Sequence, residues 1–304
     1  MHIRPSIRMD ALPYGLPVRA RFEMARAAGY EGVEIDVADG PATDLRAAAD
    51  RAGLPIHSVQ CAANYRFPLS SPDPAVRDAG IAATLEALEA ARIVGADTIL
   101  LVPGVVDRDT SYGDLYTRSQ AVIRRELLPV AERLGIGIAI ENVWNGFLLS
   151  PFDCARYIEG FASPFVRLYL DVGNIIFGRP EGWIDITGPW IARLHLKDLV
   201  HWPRHRYRLA RIGEGDIDWA LVRAALDRAG YSGWAVLAEA ELAQPQPARF
   251  AFGAARAVAS KFGANPVSRL VEARLSRRLL ADAMRRFRHH VMPGEPDAAQ
   301  GQRL

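Results

Sequence analysis

Cysteine is almost missing from this 304-residue chain: Cys61 and Cys154 are the only two. They stand far apart and in neither a CxxC nor a zinc-site spacing, which argues against a disulfide framework and fits a reducing compartment. Each reads as a small buried side chain. A dominant charge is missing too. The 37 basic residues meet 35 acidic ones, for a formal net charge of +2, so neither a nucleic-acid binder nor a membrane-surface protein is expected. No uninterrupted apolar run is long enough to cross a bilayer, and no basic segment followed by an apolar core and a cleavage site opens the chain. A cytoplasmic protein is the expectation. Histidine is also scarce, at seven.

What is present is a repeated unit of apolar strand, polar loop, amphipathic helix and closing glycine. Strands are predicted over residues 3–9, 32–37, 56–61, 97–102, 137–141, 166–170, 192–196 and 235–239. Helices are predicted over 19–28, 44–52, 74–94, 115–134, 152–161, 183–190 and 219–229, with a last barrel helix over 247–262. Half of the residues are apolar, enough for a large core. Eight strands alternating with helices predict an α/β fold, a closed (β/α)8 barrel over residues 1–263; an open doubly wound sheet is the alternative. Beyond it, 264–292 predicts an amphipathic helix opened by Asn265-Pro266. Its other face carries arginines at 269, 274, 277, 278, 285, 286 and 288. Such a helix packs on the barrel or on a partner subunit, as in a homo-oligomer. Residues 293–304 read as a disordered tail.

Strand ends carry the chemistry. Glu141, Asp171, His195 and Glu239 stand at the C-terminal ends of four consecutive predicted strands, the rim where a barrel places its active site. One such residue is a common strand-end cap or ion pair. Four converging ones, three of them carboxylates, would repel one another without a cation. The oxygen-rich set with one imidazole suits Mn²⁺, Co²⁺ or Mg²⁺.

The runs Glu141-Asn142, Leu170-Asp171-Val172-Gly173-Asn174, His195-Leu196-Lys197-Asp198 and Gly213-Glu214-Gly215-Asp216-Ile217-Asp218-Trp219 resemble those of the xylose-isomerase-like superfamily of sugar isomerases and epimerases. With Arg66-Phe67-Pro68-Leu69-Ser70-Ser71, they are most similar to its L-ribulose/L-xylulose 5-phosphate 3-epimerase branch. The resemblance implies one divalent metal, Mn²⁺ foremost, held by Glu141, Asp171, His195 and Glu239. It implies the glutamates 141 and 239 as acid and base, and Arg208 or Arg211 near the substrate's oxygens. It further implies Asn174 beside the substrate and Lys197 and Asp198 as supports of the imidazole and the loop. Arg66, Ser70 and Ser71 could bind a phosphate; a plain polar turn has the same composition. The implied activity is epimerisation or isomerisation of a ketose or ketose phosphate, a small carbohydrate. The alternatives are a lyase or dehydratase acting on a keto-sugar or keto-inositol, and a non-catalytic sugar-binding barrel.

Overall fold

Short runs rich in Val, Ile and Leu form most of the barrel strands, and helices that follow them in the chain cover the outer face. The computed structural model describes residues 2–13, 15–175, 178–202, 206–238 and 266–292. Its strands are β1 (His2–Arg8), β2 (Gly32–Asp36), β3 (Ile56–Gln60), β4 (Thr98–Leu101), β5 (Gly137–Glu141), β6 (Val166–Asp171), β7 (Ile191–Leu196), β8 (Asp198–Trp202), β9 (Arg206–Ala210) and β10 (Ser232–Leu237). All but β8 and β9 are parallel and close into a barrel in the order β1-β10-β7-β6-β5-β4-β3-β2. The open-sheet alternative is thereby excluded. The helices are α1 (Val18–Ala27), α2 (Ala42–Ala52), α3 (Ala63–Arg66), α4 (Pro74–Val94), α5 (Tyr112–Val122), α6 (Leu128–Leu134), α7 (Pro151–Glu159), α8 (Pro180–Thr187), α9 (Trp219–Arg228) and α10 (Pro266–Val291).

Local chemistry sets the boundaries. The Asp73 side chain accepts from the Ala75 amide (2.9 Å) to open α4, Pro74 takes the first helical position, and Gly95 closes it with φ +80°. The helix predicted as one piece over 115–134 is α5 and α6 joined by a π turn at Ile123–Leu127. The missing N–H of Pro129 removes a donor from the regular ladder at that point. The predicted helix at 247–262, Glu239 and the tail at 293–304 lie outside the described residues.

Two apolar layers follow from strand alternation. Ile138, Ile140, Leu168, Leu170 and Leu194 join the large core beneath the helices, whereas Leu100, Val102, Ala139, Tyr169 and Val236 form a smaller cluster inside the barrel. At the N-terminal end the interior is plugged by Trp234, stacked on His57 at 4.4 Å and covered by the Arg4 guanidinium at 3.6 Å. Only glycine fits at position 32, because a Cβ there would stand 2.6 Å from the Trp234 ring.

The C-terminal helix packs on its own chain. Leu280, Ala283, Met284, Phe287 and Val291 are buried, and α10 lies against α9 and the end of α1, where Gly29 meets Met284 and Arg288. Arg277, Arg278 and Arg285 are exposed, while Arg286 pairs with Asp282 and, at 3.5 Å, with Glu214. No helix among the described residues is long and apolar enough to cross a membrane.

Candidate metal centre at the barrel mouth

Glu141 and Asp171 are the last residues of β5 and β6, and His195 is the penultimate residue of β7. Strand register sets Asp171 directly beside His195, and Glu141 beside Tyr169. All three are buried, and one ligand atom from each lies within 4.8 Å of the others. His195 Nδ1 is 2.8 Å from Glu141 Oε1 and 3.9 Å from Asp171 Oδ2. Glu239, the fourth residue expected from the sequence, lies outside the described residues.

The rim is braced by amides. Asn142 Oδ1 accepts from the Asp171 amide (2.8 Å), and Asn142 Nδ2 donates to the Asp171 carbonyl (3.0 Å), tying the ends of β5 and β6 together. Asp171 Oδ1 caps the turn Val172–Asn174 by accepting from the Asn174 amide at 3.0 Å. The other carboxylate oxygen pairs with Lys197 Nζ at 2.8 Å. Asn174 Nδ2 donates to the Asn142 carbonyl (2.8 Å), and the Asn174 carbonyl accepts from the Trp144 indole (3.0 Å).

Burial alone would keep the His195 ring neutral, but the flanking carboxylates of Glu34 and Glu141 outweigh it and hold its pKa up at about 10 in the metal-free protein. An imidazole so strongly stabilised as a cation sits where the surroundings are built for positive charge. The donor set, two carboxylates and an imidazole nitrogen on a buried floor, fits a hard or borderline divalent ion.

Above this floor opens a cavity of about 450 Å³, within the range of small-ligand sites. Arg8, Gln60, Cys61, Tyr65, Trp144, Asn174 and Lys197 are among its walls. The other expected residues are placed as follows. Arg66 ends α3, exposed, with its guanidinium 5.1 Å from the Phe67 ring, and does not line the cavity. Ser70 is buried against Gly104, and its carbonyl accepts from Arg118; the loop at 66–71 therefore does not converge on the cavity. Arg208 is exposed on β9, and Arg211 faces Glu214 at 4.0 Å; neither lines the cavity. Asp198 supports the loop and not the imidazole. Its carboxylate accepts from the amides of Leu199, Gly213, Gly215 and Ile217 and from the Trp219 indole.

Three features escape the sequence reading. The segment after His195 folds as an antiparallel hairpin, β8–β9, whose Tyr207 packs on Trp144 at 4.2 Å. Arg8, at the end of β1, lines the cavity. Glu34, in the middle of β2, reaches His195 Nε2 at 2.8 Å. Its signal was a carboxylate flanked by Val33 and Ile35 in the middle of the strand, where an apolar residue is the rule.

Comparison with known proteins agrees with this architecture. A curated L-ribulose-5-phosphate 3-epimerase, UlaE of Salmonella paratyphi C, is 26% identical over 262 residues, covering 79% of this chain and 90% of the relative. Among solved structures, a D-psicose 3-epimerase crystallised in the presence of D-fructose matches with a TM-score of 0.72 at 16% identity, over 95% of this chain and all of that one. The IOLI protein, solved with a bound zinc atom, also matches with a TM-score of 0.72 at 16% identity, over 95% and 98% of the two chains. The family model of the xylose isomerase-like TIM barrel matches residues 22–258, and the chain belongs to that family.

Proposed function

We propose that the protein is a divalent-metal-dependent epimerase of a ketose or ketose phosphate, working through an enediolate. The observation that carries this reading is the set of three buried donors, Glu141, Asp171 and His195, on the floor of a sugar-sized cavity. The relatives named as sugar epimerases support it.

Glu141, Asp171 and His195, with Glu239 as fourth ligand, would hold the ion, and the oxygen-rich set favours Mn²⁺ over softer metals. When bound, the ion would polarise the ketose carbonyl and the neighbouring hydroxyl, making the C–H between carbonyl and hydroxyl more acidic. Glu141 and Glu239 serve as the acid–base pair: one takes the proton from one face of the carbon, and the other returns a proton on the opposite face. Asn142 and the Asp171 cap fix the rim so that the carboxylates need no reorganisation during transfer. Trp144, Tyr65 and Asn174 wall the cavity and limit water around the exposed carbanion.

Incubating the Mn²⁺-loaded protein in deuterated water with a panel including L-ribulose 5-phosphate, D-fructose and D-psicose tests this. One substrate should gain a single deuterium at the inverted carbon with its mass otherwise unchanged, and Glu141→Gln should lower that exchange by about 10²-fold or more. Loss of water or a fragment would indicate a lyase. Exchange in none of the sugars, or unchanged exchange in the variant, would refute the assignment.

A further inference from the structure

Glu34 is not at the rim. It lies deeper in the barrel, on β2, separated from β7 by β1 and β10. It is 1% exposed, and both of its oxygens are engaged: Oε1 stands 2.8 Å from His195 Nε2, and Oε2 accepts from Ser58 Oγ (2.8 Å) and from the Tyr169 hydroxyl. The Tyr169 ring lies against the imidazole with centroids 4.4 Å apart. β2 and β6 therefore meet the histidine directly, and β3 reaches it through Glu34.

His195 Nδ1 is the ring nitrogen that faces Glu141 and Asp171. To ligate a metal the ring must give up one of its two protons; the imidazole that results carries a single N–H, and an ionised carboxylate can only accept. Two carboxylates compete for that proton, Glu141 at Nδ1 and Glu34 at Nε2, each at 2.8 Å. If Glu141 prevailed, Nδ1 would carry the hydrogen and could not donate a lone pair to a metal. Glu34 is the better placed holder, since Ser58 and Tyr169 fix its second oxygen and keep the first aimed at the ring.

Resting on the metal reading above, we propose that Glu34 is a positioning residue of the metal centre: it holds the His195 proton on Nε2 and so presents Nδ1 as the ligand atom. Its role is separate from acid–base transfer, because it is buried and does not line the cavity. Ser58 and Tyr169 act one step further back, as the clamps on Glu34. Such carboxylate–histidine partners typically change metal affinity by about 10–100-fold when removed.

The test reads metal binding and the histidine tautomer, not turnover. In ¹⁵N-labelled wild-type protein loaded with Zn²⁺, two-bond proton–nitrogen correlations should show His195 protonated on Nε2. By calorimetry, Glu34→Met, which keeps the bulk and removes the acceptor, should bind Mn²⁺ about 10–100-fold more weakly, whereas Glu34→Gln, whose carbonyl still accepts, should stay within about fivefold of wild type. A proton found on Nδ1, or a folded Glu34→Met variant with wild-type affinity, overturns the proposal. Should that variant fail to fold, the wild-type tautomer decides alone. A wild-type protein that takes up no divalent ion refutes the metal reading itself, a result distinct from metal bound through the other tautomer.

Discussion

Replacing Asp198 by asparagine should be among the most destabilising isosteric changes available in this chain. The carboxylate is fully buried and accepts five hydrogen bonds: Oδ1 from the amides of Leu199 (2.8 Å) and Ile217 (3.3 Å), Oδ2 from the amides of Gly213 (2.9 Å) and Gly215 (3.2 Å) and from Trp219 Nε1 (2.9 Å). Gly215 approaches so closely that a Cβ would collide with the carboxylate. An asparagine can keep the triple cluster by turning its carbonyl there, but its NH₂ then faces the N–H groups of Leu199 and Ile217. Two charge-assisted bonds, each worth about 1.5–3 kcal/mol, become donor–donor contacts. Relief of the buried charge offsets part of this, leaving a loss of about 3 kcal/mol. Trp219→Phe, which removes one of the five, should cost about 1.5 kcal/mol by the same scale. Urea unfolding followed by circular dichroism measures both, and hydrogen exchange at Gly213 and Gly215 shows whether the loop opens first. An Asp198→Asn variant within about 0.5 kcal/mol of wild type, with those amides still protected, would refute the reasoning.

Two further outcomes follow from buried titratable groups. His57 is buried against Trp234 and hydrogen-bonded to Ser6 Oγ at 2.7 Å; burial first, then the positive charges of Arg193, His195 and Arg4, holds its pKa well below 6.5, while Glu34 opposes them. The folded state thus stays neutral there while the unfolded chain takes up a proton below 6.5, so this part of the stability is present above that value and lost as the pH falls, at up to about 1.4 kcal/mol per unit. Urea midpoints between about pH 7 and pH 5 should fall less steeply for His57→Gln than for wild type; equal slopes would count against it. The thiols should be inert: burial pushes Cys61 up to about 11 and Cys154 up to about 12, so neither should be alkylated in the native protein at pH 8, although Cys61 lines the cavity. Labelling of Cys61 at the rate of the unfolded chain would contradict this.

The barrel is legible because its signals are local. Most of its strands are short apolar runs between turn residues, and most of its helices carry a capping side chain or a closing glycine, as at Asp73 and Gly95. Glu141, Asp171 and His195 are legible because a polar residue that ends such a run sits at the rim by construction. The hairpin β8–β9 is not, because Asp198–Trp202 and Arg206–Ala210 mix charged and aromatic residues and lack a two-residue Asn-Gly or Asp-Gly turn. Arg66, Ser70 and Ser71 have the composition of an anion loop, yet backbone geometry turns Ser70 toward Gly104 and leaves Arg66 outside. Glu34 is the hardest case. Its partners Tyr169 and His195 lie 135 and 161 residues away, so nothing near it in the chain announces what it binds.

That long reach has a consequence for how the protein comes to exist. β1 pairs with β10 from His2↔Ser232 to Ile7↔Leu237, so the first strand made must await nearly the last. During synthesis a nascent chain that has already delivered Glu141, Asp171 and His195 still lacks the strand that brings β7 round to β1 and, through it, to Glu34. Such distant pairings are slow to form, because loop entropy is lost before contacts reward it. The imidazole therefore acquires its final orientation only when the ring of strands shuts, and a ligand that needs that orientation would stabilise the closed barrel alone, drawing late folding toward completion by mass action.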